Sequence, residues 1–235
     1  MDDLFRFKQF SLHNSRSAMK VGTDAVLLGA AMTLLPTDRR LLDIGTGTGV
    51  VALLAACRKA EAEEAAKGTR EWKIEAIDID AESAAEAELN FSESPWKEHL
   101  EARCAALQEY TPDEPLDCIF SNPPFFDESL VNPDERERNA RHTITLSYRD
   151  LCGFARTRLS PSGRLSAILP SDCELQLRRT AVSFSLYPFR IVRIRTGERK
   201  KVSRIIAEFG RTVNPPLEEE EILVRDNGYT EKFYL

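Results

Sequence analysis

A short apolar segment that runs directly into a glycine-rich turn and then a helical stretch constrains the fold more than any other part of this chain. Residues 40–44 (RLLDI) are typical of a buried strand, residues 45–49 (GTGTG) of a tight turn, and residues 50–58 of a helix. Glycines let the backbone adopt conformations closed to other residues and approach a ligand closely. The first N–H groups of the following helix have no intrahelical partner. This pattern predicts a ligand site at the end of the strand.

The alternation of strand and helix continues along the chain. We expect strands at residues 73–77, 100–104, 116–121 and 164–169, an antiparallel pair at 189–195 and 202–209, and a short strand or hairpin between residues 5 and 12. Helices are expected at residues 25–35, capped by Thr23 or Asp24, at 81–91, capped by Asp80, at 148–159, and at 172–185, capped by Ser171 or Asp172. Residues 59–72 are interpreted as a helix end and solvated connection, 127–147 as a loop or lid, and 214–221 as an acidic connector. This order predicts an α/β fold with a mostly parallel, doubly wound sheet and an antiparallel hairpin at its C-terminal edge.

The composition suits one folded domain, because 42% of the 235 residues are hydrophobic. The net charge of -6 argues against a protein that holds nucleic acid by its total charge, although it allows a local basic face. Five cysteines without a CxxC pair are expected in the core rather than in metal sites or disulfides. No segment approaches the roughly 18 apolar residues of a membrane span, and the N-terminus lacks a signal-peptide core. A cytoplasmic protein is the simplest expectation, and hydrolase GxSxG and P-loop signatures are absent from the sequence.

Polar groups stand at the carboxyl ends of three predicted strands. Asp43 precedes the glycine turn, Asp78 closes the second strand, and Asn122 follows the fourth. The carboxyl ends of parallel strands meet at one edge of a sheet, where ligands of such folds bind. Asp78 is placed to accept two hydrogen bonds from a ribose diol. We therefore expect the glycine turn after Asp43, the Asp78 carboxylate and the Asn122 amide to lie together in one crevice.

The segment after strand 116–121 reads Asn122-Pro123-Pro124-Phe125-Phe126. Its two prolines stiffen the backbone and lack N–H donors, while their carbonyls and the Asn122 side chain remain hydrogen-bond acceptors. Phe125 adds a flat face, so the set suits a planar group that bears an NH2. A stiff turn with no chemical role is the alternative interpretation of the same residues. Convergence with the glycine turn and Asp78 favours the functional interpretation.

The sequence resembles the Rossmann-like class I methyltransferases, which use S-adenosylmethionine (SAM). The resemblance lies in the order of a strand with DIGTGTG, a strand ending in Asp78 and a strand followed by NPPF. NPPF resembles the branch that methylates amino groups. The wider pattern is similar to one bacterial family, the tRNA1(Val) adenine-N6 methyltransferases. It comprises FRFKQFSLHNSRSAMKVGTDAVLLGAA near the N-terminus, NPPFF, ARH at residues 140–142, and RIRTGERKKVSRIIAEF. The resemblance covers nearly the whole chain.

This resemblance implies one domain, residues 1–235, that methylates the adenosine beside the anticodon of a valine tRNA. Residues 1–35 would be an N-terminal extension closing over the cofactor. The implied SAM-binding residues are Lys20, Thr23 and Asp24 in that extension, Asp43, Gly45, Gly47 and Gly49 around the first strand end, Asp78 at the ribose, Ala106, and Asn122. Many members carry an acidic residue near position 106 that holds the adenine amino group. Because Ala106 has no such side chain, that contact is open, with backbone atoms as one source.

The resemblance also implies the catalytic motif Asn122, Pro123, Pro124 and Phe125. The Asn122 side-chain oxygen and the Pro123 carbonyl would accept the two N6 hydrogens, which draws the nitrogen toward a more nucleophilic, tetrahedral geometry. Phe125 would stack on the base, and Phe126 would either line the pocket or pack in the core. The implied RNA contacts are Arg141, Arg199, Lys200 and Lys201. Such a charge run is otherwise an ordinary solvated face. A monomer without a metal is expected.

Three alternatives share part of this pattern. Methylation of a release-factor glutamine, of DNA or of rRNA would use the same NPP-aromatic device. A SAM-binding or nucleotide-binding module without activity would not need to keep Asn122 through Phe125. An NAD-dependent oxidoreductase would bind NADH rather than SAM, although such domains usually read GxGxxG and this chain reads GxGxG.

Overall fold

The computed structural model describes residues 4–68, 71–123 and 146–224. The strands and helices in these ranges are, in chain order, β1 Leu4–Arg6, β2 Ser11–His13, α1 Thr23–Ala31, β3 Arg40–Ile44, α2 Val50–Ala66, β4 Lys73–Asp78, α3 Ala81–Ser92, β5 Leu100–Cys104, β6 Leu116–Ser121, α4 Tyr148–Arg158, β7 Leu159–Pro170, α5 Glu174–Ser183, β8 Tyr187–Arg195, β9 Arg204–Gly210 and β10 Glu218–Leu223. Two short 3-10 turns lie at Lys97–His99 and Ser171–Cys173.

Eight strands form one sheet in the order β10-β8-β9-β7-β6-β3-β4-β5, and β1 and β2 form a separate antiparallel hairpin. Strands β5, β4, β3, β6 and β7 are parallel to their neighbours in this order. Strand β9 runs antiparallel to both β7 and β8, and β10 is parallel to β8. The predicted α/β fold with a mostly parallel sheet is therefore confirmed.

Alternate residues of each central strand bury opposite faces of the sheet. In β3, Leu41 packs into a core with helices α1, α2 and α3, whereas Leu42 packs into a second core with α4 and α5. Strands with apolar side chains on both faces need helices on both faces. This doubly wound arrangement leaves the strand ends free to form a site.

Helix α1 begins at Thr23 and ends at Ala31, so the predicted end at residue 35 is wrong. Its N-cap is Gly22 without a side-chain hydrogen bond, which contradicts capping by Thr23 or Asp24. The N–H group of the C-cap Met32 still donates to the Leu28 carbonyl oxygen, but that of Thr33, one residue later, donates to the Glu208 carboxylate at 3.1 Å, and the helix stops there. Arg58 also binds the carbonyl oxygen of Gly29 at 2.8 Å.

Other boundaries also differ from the prediction. Helix α2 continues to Ala66, because the alanine- and glutamate-rich stretch after residue 58 consists of strong helix formers. Helix α5 begins at Glu174 and its N-cap, Cys173, makes no side-chain cap, so capping by Ser171 or Asp172 is wrong. The Asp80 cap is confirmed, since its carboxylate accepts the N–H of Ser83 at 2.8 Å.

Part of the predicted acidic connector is a strand. Residues 218–223 form β10, which pairs with β8 and lies outside the β8–β9 pair, so that pair is not the edge of the sheet. Glutamates of β10 pair with arginines of β8, including Glu219 with Arg193 at 3.0 Å and Glu220 with Arg190 at 2.8 Å. The acidic run is thus neutralised by a neighbouring strand that is distant in sequence.

A buried polar network joins the segment after α1 to the sheet. The Arg164 guanidinium and the Asp38 carboxylate, both nearly inaccessible to solvent, form a bidentate pair. Glu208 is fully buried and binds Ser166, Thr33 and Arg190. Because buried charges require partners, these contacts fix residues 33–38 against β7 and β9.

Cys57, Cys118 and Cys152 are buried free thiols, Cys173 is half-buried and Cys104 is exposed. Burial raises the pKa of Cys118 to about 12. In the described parts of the chain, no three His, Cys, Asp or Glu side chains group as a metal site would require. Within the same ranges, none of the helices has the length and apolar content to cross a membrane.

Candidate active site

A cavity of about 270 Å³ opens at the carboxyl ends of β3, β4, β5 and β6. Four adjacent strands deliver its walls, as expected for a ligand site of a doubly wound sheet. The lining residues are Ala18, Met19, Ile44, Gly45, Gly47, Ile77, Asp78, Ile79, Asp80, Ser83, Ala105, Ala106, Leu107, Gln108, Asn122 and Leu146. Of the predicted cofactor-binding residues, Gly45, Gly47, Asp78, Ala106 and Asn122 are brought together here.

The three glycines of the turn all have positive φ angles but occupy different surroundings. A Cβ added to Gly45 would meet no atom within 4 Å, so its backbone borders open space in the cavity. A Cβ on Gly49 would lie 2.5 Å from a ring carbon of Phe91. Gly45 is thus placed beside a ligand, whereas Gly49 permits close packing of the turn against α3.

Asp43 lies beneath the turn and is not among the cavity-lining residues. Its side chain is buried, and one oxygen accepts the Thr46 hydroxyl at 2.7 Å. The other oxygen, Oδ1, has no hydrogen-bond partner in the described residues. Burial raises the pKa of Asp43 to about 7, against the opposing effect of the Thr46 hydrogen bond. In this geometry Asp43 holds the glycine turn from below.

Asp78 stands at the cavity wall with both oxygens oriented by backbone donors. Oδ2 accepts the N–H of Gly47 at 2.9 Å, and Oδ1 accepts the N–H of Asp80 at 3.0 Å. Burial raises the pKa of Asp78, while these N–H groups favour the charged form. Each carboxylate oxygen has a second lone pair, so the group can still accept both hydroxyls of a vicinal diol.

The wall after β5 consists of residues 105–108, and its side chains are mostly apolar. Ala106 contributes no polar group, whereas Gln108 carries an amide two residues further on. Ile79 lines the cavity with 48% of its surface exposed, an unusual position for a large apolar side chain. Ile79 and Leu107 together offer apolar contact for a flat ring.

Several of these wall residues were missed in the sequence. Ile79 could have been found from its position directly after Asp78 at the strand end. Leu107, Gln108 and Leu146 lie in irregular segments with no recognisable pattern, as do Ala18 and Met19. Their contribution depends on how distant segments fold over the strand ends.

Asn122 directly follows β6 and lines the same cavity. Its side-chain oxygen is inaccessible to solvent and has no hydrogen-bond donor among the described residues. The preceding Ser121 donates its hydroxyl to the carbonyl oxygen of Ile44 at 2.8 Å, which links the ends of β6 and β3. A buried amide oxygen without a partner is costly, so this acceptor is suited to a ligand donor.

The predicted residues Pro124, Phe125, Phe126 and Arg141 lie outside the described residues, as does most of the predicted lid.

Three predicted cofactor residues of the N-terminal extension are not among the cavity-lining residues, although Lys20 directly follows Met19, which is. Lys20 donates to the carbonyl oxygen of Ser15 at 2.5 Å. Thr23 is the first residue of α1, and the Asp24 carboxylate accepts from Arg204 at 2.7 Å. Their contacts position the extension and do not reach the cavity lining.

The positively charged residues between Arg190 and Lys201 form two groups. The β8 arginines, Arg190, Arg193 and Arg195, pair with glutamates of β9, β10 and α5. Arg199, Lys200 and Lys201 are exposed in the turn between β8 and β9. Because β8 runs in the same direction as β7, that turn lies at the sheet edge that holds the cavity. The two strands that it joins, β9 and β8, are two and three strands from β6, or roughly 10 to 14 Å.

Comparison with solved structures supports the fold. A predicted O-methyltransferase from Agrobacterium tumefaciens superimposes with a TM-score of 0.65 at 16% identity, covering 89% of this chain and 92% of that one. A glycopeptide N-methyltransferase, MtfA, solved in complex with S-adenosylhomocysteine (SAH), gives a TM-score of 0.58 at 12% identity, covering 83% and 89%. Both likenesses concern the architecture alone.

Comparison with sequences defines the family. A family model described as "Methyltransferase small domain" matches residues 10–169. The tRNA1(Val) (adenine(37)-N6)-methyltransferase of Flavobacterium johnsoniae is 33% identical over 243 residues, covering 99% of each chain. Proteins of the same name from Parabacteroides distasonis and Bacteroides fragilis are 36% and 35% identical, covering 97% of this chain and 93% of each relative. This chain therefore belongs to the tRNA1(Val) (adenine(37)-N6)-methyltransferase family, whose members are SAM-dependent class I methyltransferases.

Proposed function

We propose that this protein transfers a methyl group from SAM to the exocyclic N6 of the adenosine beside the anticodon of a valine tRNA. The observation that carries this proposal is the buried side-chain oxygen of Asn122, which lines the strand-end cavity and has no hydrogen-bond partner among the described residues. This oxygen can accept a hydrogen bond from an N–H group of a ligand, and the cavity that it lines has walls that suit a nucleoside. Family membership at 33–36% identity over nearly the full length disfavours a glutamine, DNA or rRNA substrate.

The residues of the cavity fit the cofactor. Asp78 offers free lone pairs to a ribose diol, and Gly45 borders open space that a side chain would fill. Ile79 and Leu107 suit the two faces of an adenine ring, and backbone groups of residues 105–108 or the Gln108 amide can meet its amino group in place of the acidic residue missing at Ala106. When bound, SAM supplies an activated methyl group on a sulfonium.

Asn122 and Pro123 are proposed to act on the target amino group. The N6 lone pair of adenine is delocalised into the ring, which makes it a poor nucleophile. Two acceptors, the Asn122 side-chain oxygen and the Pro123 carbonyl, would hold both N6 hydrogens and favour a tetrahedral nitrogen. Pro124 would stiffen this segment. Holding donor and acceptor in line can lower the barrier by up to about 7–11 kcal/mol in favourable cases.

The aromatic and basic residues complete the proposed substrate site. Stacking of Phe125 on a flipped base would contribute roughly 1–3 kcal/mol of binding, and Phe126 and Arg141 are assigned to the same substrate side. Turning the base out of its stack costs a few kcal/mol and is easiest in an RNA loop. The exposed cations Arg199, Lys200 and Lys201 face the same sheet edge and would bind the tRNA backbone.

The remaining expectations extend this proposal. We place the whole chain in one domain, in which residues 1–35 close over the cofactor. The protein is proposed to be a monomer and to work in the cytoplasm, where tRNA is available. Equilibrium sedimentation with and without tRNA would test the monomer, because a dimer would double the sedimenting mass at equal concentration.

Methylation of a synthetic valine tRNA by the purified protein tests the function. We expect digestion and mass spectrometry to find N6-methyladenosine at the position next to the anticodon, and none in a transcript with guanosine there. Asn122→Ala should lower kcat at least roughly 100-fold while SAH binding stays near the wild-type value. Methylation at another nucleotide would refute the substrate, and near-normal turnover by Asn122→Ala would refute the amino-group role.

A further inference from the structure

A segment of the N-terminal extension crosses helix α3 before it reaches the cavity. We call residues 13–19 the strap. Its last two residues, Ala18 and Met19, form part of the cavity wall. The Met19 carbonyl oxygen would lie 3.6 Å from a Cβ built on Gly47, so the strap passes directly over the glycine turn. The position of this wall therefore depends on what holds the strap.

One buried carboxylate holds the middle of the strap. Glu86 of α3 is 1% exposed and accepts three consecutive backbone N–H groups, those of Ser15 at 2.7 Å, Arg16 at 2.8 Å and Ser17 at 2.8 Å. Burial alone would raise the pKa of Glu86, but these N–H groups outweigh it and lower the pKa. The group is therefore an anion at neutral pH, and the local turn of the strap is specified by that anion.

Two further side chains on the same face of α3 complete the attachment. Ser83 accepts the N–H of Ala18 at 3.3 Å through its hydroxyl. Asn90 accepts the N–H of His13 at 2.6 Å and donates to the carbonyl oxygens of His13 at 3.0 Å and Thr48 at 2.9 Å. Because Thr48 belongs to the glycine turn, α3 joins the strap to the turn that it covers. Spacings of three and four residues place these side chains on one helical face.

We propose that Glu86 is a positioning residue for SAM binding. It is not among the cavity-lining residues, so it acts through the strap and not by touching the cofactor. Helix α3 begins three residues after Asp78, the proposed ribose acceptor at the end of β4. The β4–α3 unit therefore supplies both the residue that binds the ribose and the residue that positions the strap over the cofactor. Without the anion, three N–H groups of the strap lose their common acceptor, and the wall at Ala18 and Met19 is no longer fixed.

The test compares Glu86→Gln with Glu82→Gln, an exposed glutamate on the same helix. A glutamine amide at position 86 turns one acceptor oxygen into a donor that opposes a strap N–H group. Isothermal titration with SAH should give a Kd raised roughly 10- to 100-fold in Glu86→Gln, and a Kd within about twofold of wild type in Glu82→Gln.

Two further measurements separate positioning from a general loss of structure. Hydrogen exchange should become faster at the amides of residues 15–17 in Glu86→Gln, while the amides of α3 and β3 keep wild-type protection. In tRNA methylation, the KM for SAM should rise with Kd while kcat at saturating SAM and the KM for tRNA stay near wild type. An unchanged Kd would overturn the proposal, as would loss of protection throughout α3 and β3. This proposal rests on the proposed function only through its cofactor, SAM. The SAH titration and the hydrogen-exchange measurement need no RNA, so their results would stay valid even if the substrate were not a valine tRNA.

Discussion

Two glycines of the same turn are expected to respond differently to replacement by alanine, one mainly in stability and the other mainly in cofactor affinity. Gly45 and Gly49 both have positive φ angles, +70° and +81°, so a side chain at either position is strained. For an L-residue this strain costs about 1–2 kcal/mol. The surroundings differ, however, because an added Cβ meets open space at Gly45 and a buried ring of Phe91 at 2.5 Å at Gly49.

The contact with Phe91 adds an overpacking cost to Gly49→Ala. Phe91 is 1% exposed within the core of α1, α2 and α3, so its ring has little room to move. Inserting a methyl group into a packed core typically costs about 1–3 kcal/mol. We therefore expect Gly49→Ala to lower the free energy of unfolding by about 2–5 kcal/mol, and Gly45→Ala by only about 1–2 kcal/mol.

Cofactor affinity should follow the reverse order. The methyl group of Gly45→Ala projects into the cavity and should weaken SAH binding at least about tenfold, whereas folded Gly49→Ala should bind nearly as wild type. Urea unfolding gives the stabilities, and titration with SAH under conditions where each variant is folded gives the affinities. Equal destabilisation of the two variants would refute the packing argument. Loss of SAH binding by folded Gly49→Ala would mean that Gly49 contacts the cofactor after all.

Two other predictions follow from charge. Burial raises the pKa of Asp43 to about 7 in the folded protein, against an ordinary value of 3.8. Between these pH values the folded protein therefore binds one proton more than the unfolded chain. The free energy of unfolding should fall by on the order of 4 kcal/mol as pH rises from about 4 to 7. Urea unfolding should show this slope flattened in Asp43→Asn, and an unchanged slope would contradict it. Replacing residues 199–201 with glutamine should reduce the slope of log Kd for tRNA against log salt by up to about 2–3, since each phosphate contact contributes about 0.7–0.9. Arg195→Gln, whose wild-type side chain is paired with Glu221, is the matched control and should leave that slope unchanged; equal effects would refute the assignment.

Local patterns in the sequence were sufficient for most of the fold. Strands β3 to β6 follow the predicted bounds closely, because short apolar runs bounded by turns and acidic ends reflect burial of the segment itself. The extension of α2 to Ala66 was missed although its helix-forming residues are a local signal, whereas two other errors occurred where a distant partner decided the outcome. Helix α1 ends before residue 35 because Glu208 binds Thr33, and residues 218–223 form a strand because β8 offers arginines to their glutamates. No local pattern carries that information.

The sequence by itself determined the family, the α/β order, and the strand-end placement of Gly45, Asp78 and Asn122, since these depend on residue types at fixed spacing along the chain. Only the tertiary structure separated Gly45, which borders the cavity, from Gly49, which packs on Phe91. It also showed that the β8 arginines are held in ion pairs and that Glu86 holds the strap through three backbone N–H groups. Such roles depend on distances between residues far apart in sequence. A glycine, an arginine or a glutamate has the same appearance in the sequence whether its neighbour in space is a ligand, an opposite charge or a core side chain.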